Sequence, residues 1–207
     1  IVHRKGKLYG YNTDYDGFRE TLIANRIDPK GKAALILGNG GVCRTVRVVL
    51  EEMGASRVWV ASRRGSPGTV SYEEACQKKE ISIVVNATPV GMYPETGKQP
   101  VDLSLFPALE AAVDLIYNPL RTRFLQQAAE LGAVTANGML MLVAQAARAA
   151  SLFCGEDIEP SRVRRFAREL EQEKGNIVLT GMPGSGKTTV GRLLADKLQK
   201  TFWDLDA

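Results

Sequence analysis

The chain has 207 residues, of which 44% are hydrophobic and 24% are charged, with a formal net charge of +4. This composition is ordinary for a soluble globular protein of one or two domains. No run of about 20 apolar residues occurs, and residues 1–11 lack the shape of a signal peptide, so we expect neither a membrane span nor a secretory leader. The three cysteines (43, 76 and 154) are odd in number and lack metal-binding spacing, which favours the reducing cytoplasm.

The basic residues do not indicate a nucleic-acid partner. Arg162, Arg164, Arg165 and Arg168 cluster on one predicted helix, but no recognised motif accompanies them, so we interpret them as a solvated helix face. His3 is the only histidine. We expect it at the surface, which argues against a histidine-dependent mechanism.

The first 30 residues are predicted to be the end of one domain. Short strands at 1–4 and 8–11 form a hairpin, and because an isolated hairpin is marginal in water, we expect further strands upstream. A helix follows to about residue 25, with Thr13 or Asp14 as its N-cap. Its buried side is predicted to contain Phe18, Leu22 and Ile23.

Residues 31–155 alternate between predicted strands and helices. The strands are apolar runs, as in residues 81–85, which is expected when both faces of a sheet are buried. Such alternation predicts a parallel sheet with helices on both faces, a Rossmann-type doubly wound α/β fold. We predict strands at 33–38, 57–61, 81–86, 111–116 and 133–135, and helices at 41–53, 71–79, 121–131 and 138–153.

A glycine-rich turn after the first of these strands is typical of a dinucleotide site. Gly38 permits the tight turn, Gly40 allows the backbone to approach a pyrophosphate, and Cys43 is the third small residue, where helix and strand pack closely. The phosphates would lie at the helix N-terminus, against free N–H groups. The predicted contacts are Gly38, Asn39, Gly40, Gly41 and Val42.

The end of the next strand favours NADP over NAD. An NAD site usually has an acidic residue there to bind the ribose 2′-hydroxyl. This chain has Ser62, Arg63 and Arg64 instead, and guanidinium groups bind a 2′-phosphate through charge-assisted hydrogen bonds.

A second glycine-rich turn, Gly181 to Thr188, has the full pattern of a nucleoside-triphosphate loop. A charged helix at 160–173 precedes it, and we predict a strand at 176–180, a helix at 187–198 and a strand at 201–204 around it. Lys187 would neutralise the outer phosphates and Thr188 would ligate Mg²⁺. The predicted ATP contacts are Gly184, Ser185, Gly186, Lys187, Thr188 and Thr189.

Four segments in order resemble shikimate dehydrogenase over roughly residues 1–155. They are Gly10-Tyr11-Asn12-Thr13-Asp14, residues 86–92 (NATPVGM), residues 114–119 (DLIYNP), and Asn137-Gly138 through Gln145. The family reduces 3-dehydroshikimate to shikimate with NADPH on the way to aromatic amino acids. Its active site lies between a substrate domain and the Rossmann domain that follows it.

The resemblance implies roles for individual residues. Asp14 would bind substrate and work beside a lysine in catalysis, while Tyr117 and Gln145 would contact the substrate. The implied cofactor contacts are Thr88, Val90, Met92, Leu115 and Gly138. The resemblance places the ribose and nicotinamide at the loop with Thr88, Val90 and Met92, and a backbone contact to the nicotinamide at Leu115. From the residues alone, Asp14 is also explained as a helix cap (a role that is compatible with substrate binding), the loop at 87–92 as a Pro/Gly turn, and Gln145 as an internally bonded amide.

The end of the chain resembles the start of shikimate kinase. In Phe202-Trp203-Asp204-Leu205-Asp206 the resemblance implies that Asp204 helps to hold magnesium and that Asp206 binds a shikimate hydroxyl. We therefore predict four parts: the end of a substrate domain with a linking helix (1–30), an NADP-binding domain (31–155), a helix and linker (156–174), and a truncated kinase-like segment (175–207).

These observations predict a fragment of a bifunctional, cytoplasmic dehydrogenase–kinase that acts on small molecules. The family's catalytic lysine precedes the hairpin and has no counterpart in these residues, so we expect weak or absent turnover. We expect the kinase segment to be frayed, or to pack against the dehydrogenase part, and to have no kinase activity. A homodimer is compatible with the sequence. The alternatives are a quinate/shikimate dehydrogenase, a kinase with a noncatalytic NADP-binding module, and a cofactor-sensing relative.

Overall fold

The computed structural model describes residues 1–63 and 65–204, and its contacts divide the chain into two units, Ile1–Glu173 and Lys174–Ala207. No helix among the described residues is both long enough and apolar enough to cross a membrane. The first unit contains the strands β1 (Val2–Arg4), β2 (Lys7–Tyr9), β3 (Ala33–Leu37), β4 (Arg57–Ala61), β5 (Ile81–Asn86), β6 (Ala111–Asp114) and β7 (Val134–Ala136). Its helices are α1 (Thr13–Ala24), α2 (Cys43–Glu52), α3 (Tyr72–Cys76), α4 (Arg123–Glu130), α5 (Met139–Cys154) and α6 (Pro160–Lys174), with a short 3-10 helix at Leu103–Leu105.

A five-stranded parallel sheet forms the centre of the first unit. Its strand order is β4-β3-β5-β6-β7, while β1 and β2 pair separately as an antiparallel hairpin. The structure confirms the predicted α/β fold with a parallel sheet, and each strand lies within two residues of its predicted position.

Helices cover both faces of this sheet because successive β3 residues point to opposite sides. Ile36 belongs to an apolar cluster with residues of α1 and α2, whereas Leu35 and Leu37 belong to a second cluster with Phe124 of α4. All of these side chains are fully buried. Burial on both faces explains why the strands have no polar alternation.

The N-cap of α1 differs from the prediction. Neither Thr13 nor Asp14 caps the helix; the Asn12 side chain accepts a hydrogen bond from the Asp14 N–H at 3.2 Å. Asn12 has an extended backbone, which lets its side chain reach forward, whereas the two predicted caps already lie inside the helix.

The buried side of α1 also differs from the prediction, since it consists of Gly17, Phe18, Thr21 and Leu22. Phe18 and Leu22 are fully buried, but Ile23 is 40% exposed. Ile23 lies five residues after Phe18 and therefore outside the stripe of positions i, i+3 and i+4.

The second unit contains the helix α7 (Lys187–Lys197), and none of its described residues forms a strand. The predicted strands at 176–180 and 201–204 are thus not formed, and Val178 is 74% exposed. A strand needs a hydrogen-bonded neighbour, and these two segments do not pair with each other. Within this unit the Phe202 ring packs against α7 at Gly191, where an added Cβ would lie only 2.5 Å from the ring.

Candidate functional site

The carboxyl ends of the five parallel strands meet at one edge of the sheet, which we call the carboxyl edge. The order of the strands brings five loops together there, one after each strand. This is where open α/β sheets bind ligands. The predicted cofactor contacts in these loops are Gly38–Val42, Ser62, Arg63, Thr88, Val90, Met92, Leu115 and Gly138, while Arg64 lies outside the described residues.

The glycine turn after β3 combines one crowded glycine with two open ones. Gly38 has a φ of +99°, and a Cβ there would lie 2.7 Å from Cγ2 of Thr88, on the loop after β5. Around Gly40 and Gly41, by contrast, no described atom would come within 4 Å of an added Cβ. The N-cap of α2, Val42, makes no side-chain hydrogen bond to the helix. The turn thus offers open backbone for an anion at the start of α2.

A cleft of about 410 Å³ lies beside this turn. Arg44 and Arg47 line it from the first turns of α2, and Thr69 lines it from the segment after β4. Arg47 is paired with Glu51 at 2.8 Å, whereas Arg44 forms no ion pair with any described residue. The exposed Arg63 follows β4. The cationic lining suits an anionic ligand such as a phosphate.

The loop after β5 is held by the side chain of Asn86, the last residue of that strand. Its Oδ1 accepts hydrogen bonds from the Thr88 N–H at 3.0 Å and from the Thr88 hydroxyl at 2.6 Å. Thr88 Oγ1 in turn accepts from the Val90 N–H at 3.2 Å. Thr88 and Val90, two predicted cofactor contacts, are therefore held in place by Asn86, a residue for which no role was predicted.

Asp114, the last residue of β6, is also fully buried. Its carboxylate accepts hydrogen bonds from Asn86 Nδ2 at 3.0 Å, the Ile116 N–H at 3.1 Å and the Thr122 hydroxyl at 2.6 Å. Burial raises the pKa of Asp114, and the hydrogen bonds from Thr122, Ile116 and Asn86 partly offset this rise, so that the pKa is about 6. Asn86 and Asp114 were not predicted from the sequence, and the signal that could have indicated them is a polar side chain at the carboxyl end of a buried strand.

Gly138 brings the loop after β7 against the loop after β6. A Cβ on Gly138 would lie 2.1 Å from the carbonyl oxygen of Leu115, and the Gly138 N–H donates to the Ile116 carbonyl at 2.9 Å. Only glycine allows this approach of the two backbones. The two predicted cofactor contacts Leu115 and Gly138 are therefore neighbours.

The predicted substrate residues lie on α1, α5 and the loop after β6. Asp14 is half-buried in the first turn of α1. The preceding residue, Thr13, lies with its hydroxyl 3.5 Å from Oε1 of Gln145 on α5, and Gln145 Nε2 donates to the Leu142 carbonyl. The structure thus brings the start of α1 and Gln145 together. Tyr117 is 40% exposed on its loop.

Comparison with known proteins identifies the family of this chain. The chain is 33% identical over 181 residues to the NADP(+) shikimate dehydrogenase of Clostridium perfringens, and the match covers 83% of the chain and 67% of that relative. The chain belongs to the shikimate dehydrogenase family.

Solved structures of this family and its neighbours share the fold. The chain matches shikimate 5-dehydrogenase from Thermus thermophilus in complex with NADP(H) and shikimate with a TM-score of 0.69 and 39% identity, covering 81% of this chain and 66% of that one. It matches quinate dehydrogenase from Corynebacterium glutamicum in complex with NAD with a TM-score of 0.66 and 28% identity, covering 77% and 63%.

Beyond the dehydrogenase-family part, residues 183–207 match the family model of shikimate kinase. In the triphosphate loop, Lys187 Nζ donates to the carbonyls of Gly181 at 2.7 Å and Met182 at 3.0 Å. The Thr188 hydroxyl lies 3.3 Å from Asp204 Oδ2, so the two predicted magnesium ligands come together. Asp206 lies outside the described residues. The chain therefore carries a short segment similar to shikimate kinase at its C-terminus.

Proposed function

We propose that this protein is an NADP-dependent dehydrogenase that interconverts 3-dehydroshikimate and shikimate, and that this chain supplies its cofactor-binding half. The supporting observation is the open glycine turn at the carboxyl edge of a five-stranded sheet, in a member of this family. The Thermus thermophilus relative was solved with NADP(H) and shikimate.

The cationic end of the site favours NADP as the cofactor. Arg63 and Arg64 follow β4 where an NAD site would have an acid, and Arg44 adds a further cation at the cleft. A carboxylate would repel a 2′-phosphate, whereas these guanidinium groups would bind it. The space around Gly40 and Gly41 suits the pyrophosphate, because no atom of the described residues would lie within 4 Å of a Cβ added to either glycine.

Bound NADPH supplies the hydride for reduction of a carbonyl carbon. Asp14 would orient the substrate and, with the lysine that the family places before the hairpin, deliver a proton to the developing alkoxide. Gln145 would donate its amide N–H to a substrate hydroxyl, and Tyr117 would contact the substrate from the loop after β6. Since that lysine has no counterpart in these 207 residues, we expect this chain alone to turn over poorly or not at all.

The proposal is tested by calorimetric titration of the chain with NADPH and NADH. We expect NADPH to bind more tightly, and the double variant R63A/R64A to lose this preference while keeping its affinity for NADH. Substitution of Arg165, an exposed arginine on α6, by alanine serves as the control. Equal affinity of the unmodified chain for both cofactors would remove the role given to the two arginines.

For the C-terminal segment we propose the phosphate-binding start of a shikimate kinase. Residues 184–189 would bind ATP, Thr188 and Asp204 would hold Mg²⁺, and Asp206 would bind a shikimate hydroxyl. The contact between Thr188 and Asp204 supports this arrangement. We expect no ATP-dependent phosphorylation of shikimate by this chain, and detectable product would contradict that expectation.

Quinate is the second candidate substrate, favoured by the similarity to a quinate dehydrogenase. Quinate and shikimate share the ring hydroxyls that Asp14 and Gln145 would recognise. Oxidation rates of both compounds with NADP⁺, measured on the full-length protein, distinguish the two substrates. Absence of oxidation of either compound, with NADP⁺ still bound, would instead favour a cofactor-sensing module.

A further inference from the structure

A buried polar network lies directly beneath the carboxyl edge. Asn86 and Asp114 are 0% exposed and Thr122 is 1% exposed. Asn86 Nδ2 and the Thr122 hydroxyl donate to the two different oxygens of the Asp114 carboxylate, at 3.0 Å and 2.6 Å. Three buried polar side chains are thus joined at the carboxyl ends of β5 and β6.

The network extends into both loops that carry the predicted nicotinamide contacts. Asn86 holds the loop after β5, through its bonds with Thr88 and from its Nδ2 to the Val90 carbonyl at 3.3 Å. Asp114 holds the start of the loop after β6, through the Ile116 N–H. Thr122 closes that loop, because its hydroxyl also accepts from the Leu125 N–H at the start of α4.

Burying these three polar side chains costs free energy, and apolar side chains could fill the same space without that cost. A buried carboxylate is unfavourable unless it is fully hydrogen-bonded, and well-packed apolar residues often stabilise a core equally well. A network whose members are all satisfied does, however, fix the geometry of the segments that it joins. Here those segments are two ligand loops of neighbouring parallel strands.

We propose that Asp114 and Asn86 are positioning residues, which hold the loops after β5 and β6 in the geometry that binds the nicotinamide half of the cofactor. Neither residue would touch the cofactor. This inference rests on the proposed NADP site and adds that the two halves of that site are positioned separately. The adenosine half depends on the glycine turn and the arginines, and the nicotinamide half depends on this network.

The experiment compares two ligands on the 207-residue chain by calorimetry. NADPH occupies both halves of the site, whereas 2′,5′-ADP occupies only the adenosine half. In D114A we expect NADPH to bind roughly tenfold more weakly, a loss of about 1.4 kcal/mol, because the loops lose their preorganisation. We expect the affinity for 2′,5′-ADP to change by less than about twofold.

Three further variants separate positioning from stability. D114N preserves the shape of the side chain and can still bond with Asn86, Ile116 and Thr122, so it should retain most of the NADPH affinity. T122V should show the same selective loss of NADPH affinity as D114A, but a smaller one. It replaces D114A in the test if D114A does not fold. S82A is the matched control, since Ser82 is a buried hydroxyl of β5 near its other end, bonded to the Ala33 carbonyl.

The outcomes are distinct. If D114A or T122V loses affinity equally for NADPH and for 2′,5′-ADP, Asp114 is only a structural residue and the inference is wrong. The inference is also wrong if the folded variant binds both ligands as tightly as the unmodified chain does. If the unmodified chain binds neither ligand, the proposed NADP site itself fails, and the inference fails with it. Selective loss of NADPH binding, absent in S82A, is the supporting result.

Discussion

Two glycines at the carboxyl edge meet opposite steric conditions. A Cβ on Gly138 would lie 2.1 Å from the Leu115 carbonyl oxygen, whereas a Cβ on Gly40 would have no atom of the described part of the chain within 4 Å. Gly138 thus serves the packing of two loops, while Gly40 leaves room for a ligand. Both glycines belong to the predicted cofactor site, but only the structure shows that glycine is needed at each position for a different reason.

This difference predicts opposite behaviour of two alanine variants. G138A should lower the free energy of unfolding by at least about 2 kcal/mol, because the backbone must move to relieve the overlap. G40A should change it by less than about 0.5 kcal/mol but weaken NADPH binding. Urea unfolding and calorimetry measure the two effects, and a stable G138A protein with an unchanged midpoint would contradict the geometry.

The buried carboxylate of Asp114 predicts a pH dependence of stability. Its folded-state pKa of about 6 lies above the ordinary value of 3.8. Between about pH 4 and pH 6 the folded state therefore keeps a proton that the unfolded state has released, and this group's contribution to stability falls as pH rises. Relative to D114N, the unmodified chain should gain up to roughly 3 kcal/mol in unfolding free energy from neutral to acid pH. A pH-independent difference in urea unfolding would contradict this.

At the scale of elements, helices α1 and α5 share a more extensive contact than any other pair of helices in the first unit. Gly17 is the contact point: a Cβ there would lie 2.7 Å from the Met141 carbonyl oxygen and 3.2 Å from Cβ of Gln145. The same two helices carry Asp14 and Gln145. Their spacing therefore sets the distance between two predicted substrate residues.

We expect G17A to destabilise the protein, by about 1–3 kcal/mol. An alanine in place of a glycine in the middle of a helix normally stabilises by about 1 kcal/mol, so the sign of the change reports the close approach. I23A, at the exposed position of the same helix, is the control and should have a much smaller effect. Thermal unfolding measures both, and a raised midpoint in G17A would show that α1 and α5 can separate without cost.

Element positions were predictable because the patterns that define them are local. The apolar runs of β3 and β5 and the glycine turn between β3 and α2 lie where they were expected. The N-cap of α1 was not predictable, because Asn12, Thr13 and Asp14 all have side chains that can cap a helix. Which of them does so depends on where the chain leaves its extended conformation.

At the scale of the whole molecule, the three apolar clusters lie entirely within residues 1–173. The third cluster joins α5 to α6 through Met139, Val163 and Ala167. The C-terminal unit has one buried residue among those described, Gly191. Its residues are too few to bury a core of their own.

A chain that ends at Glu173 should therefore unfold at the same temperature as the longer chain, within a few degrees, and bind NADPH with the same affinity. Such a chain loses only the last residue of α6, Lys174. Differential scanning calorimetry with and without NADPH tests this expectation. A markedly lower midpoint would mean that residues 174–207 contribute to the stability of the first unit.

The sequence by itself determined the parallel sheet, the two glycine-rich turns and the family, because periodicity, turn chemistry and ordered motifs are properties of neighbouring residues. Only the tertiary structure decided that Asn86, Asp114 and Thr122 form one network, since hydrogen bonds between strands depend on which strands are adjacent. It also decided that the segments around the triphosphate loop are not strands, because strand formation requires a paired neighbour and the described residues provide none.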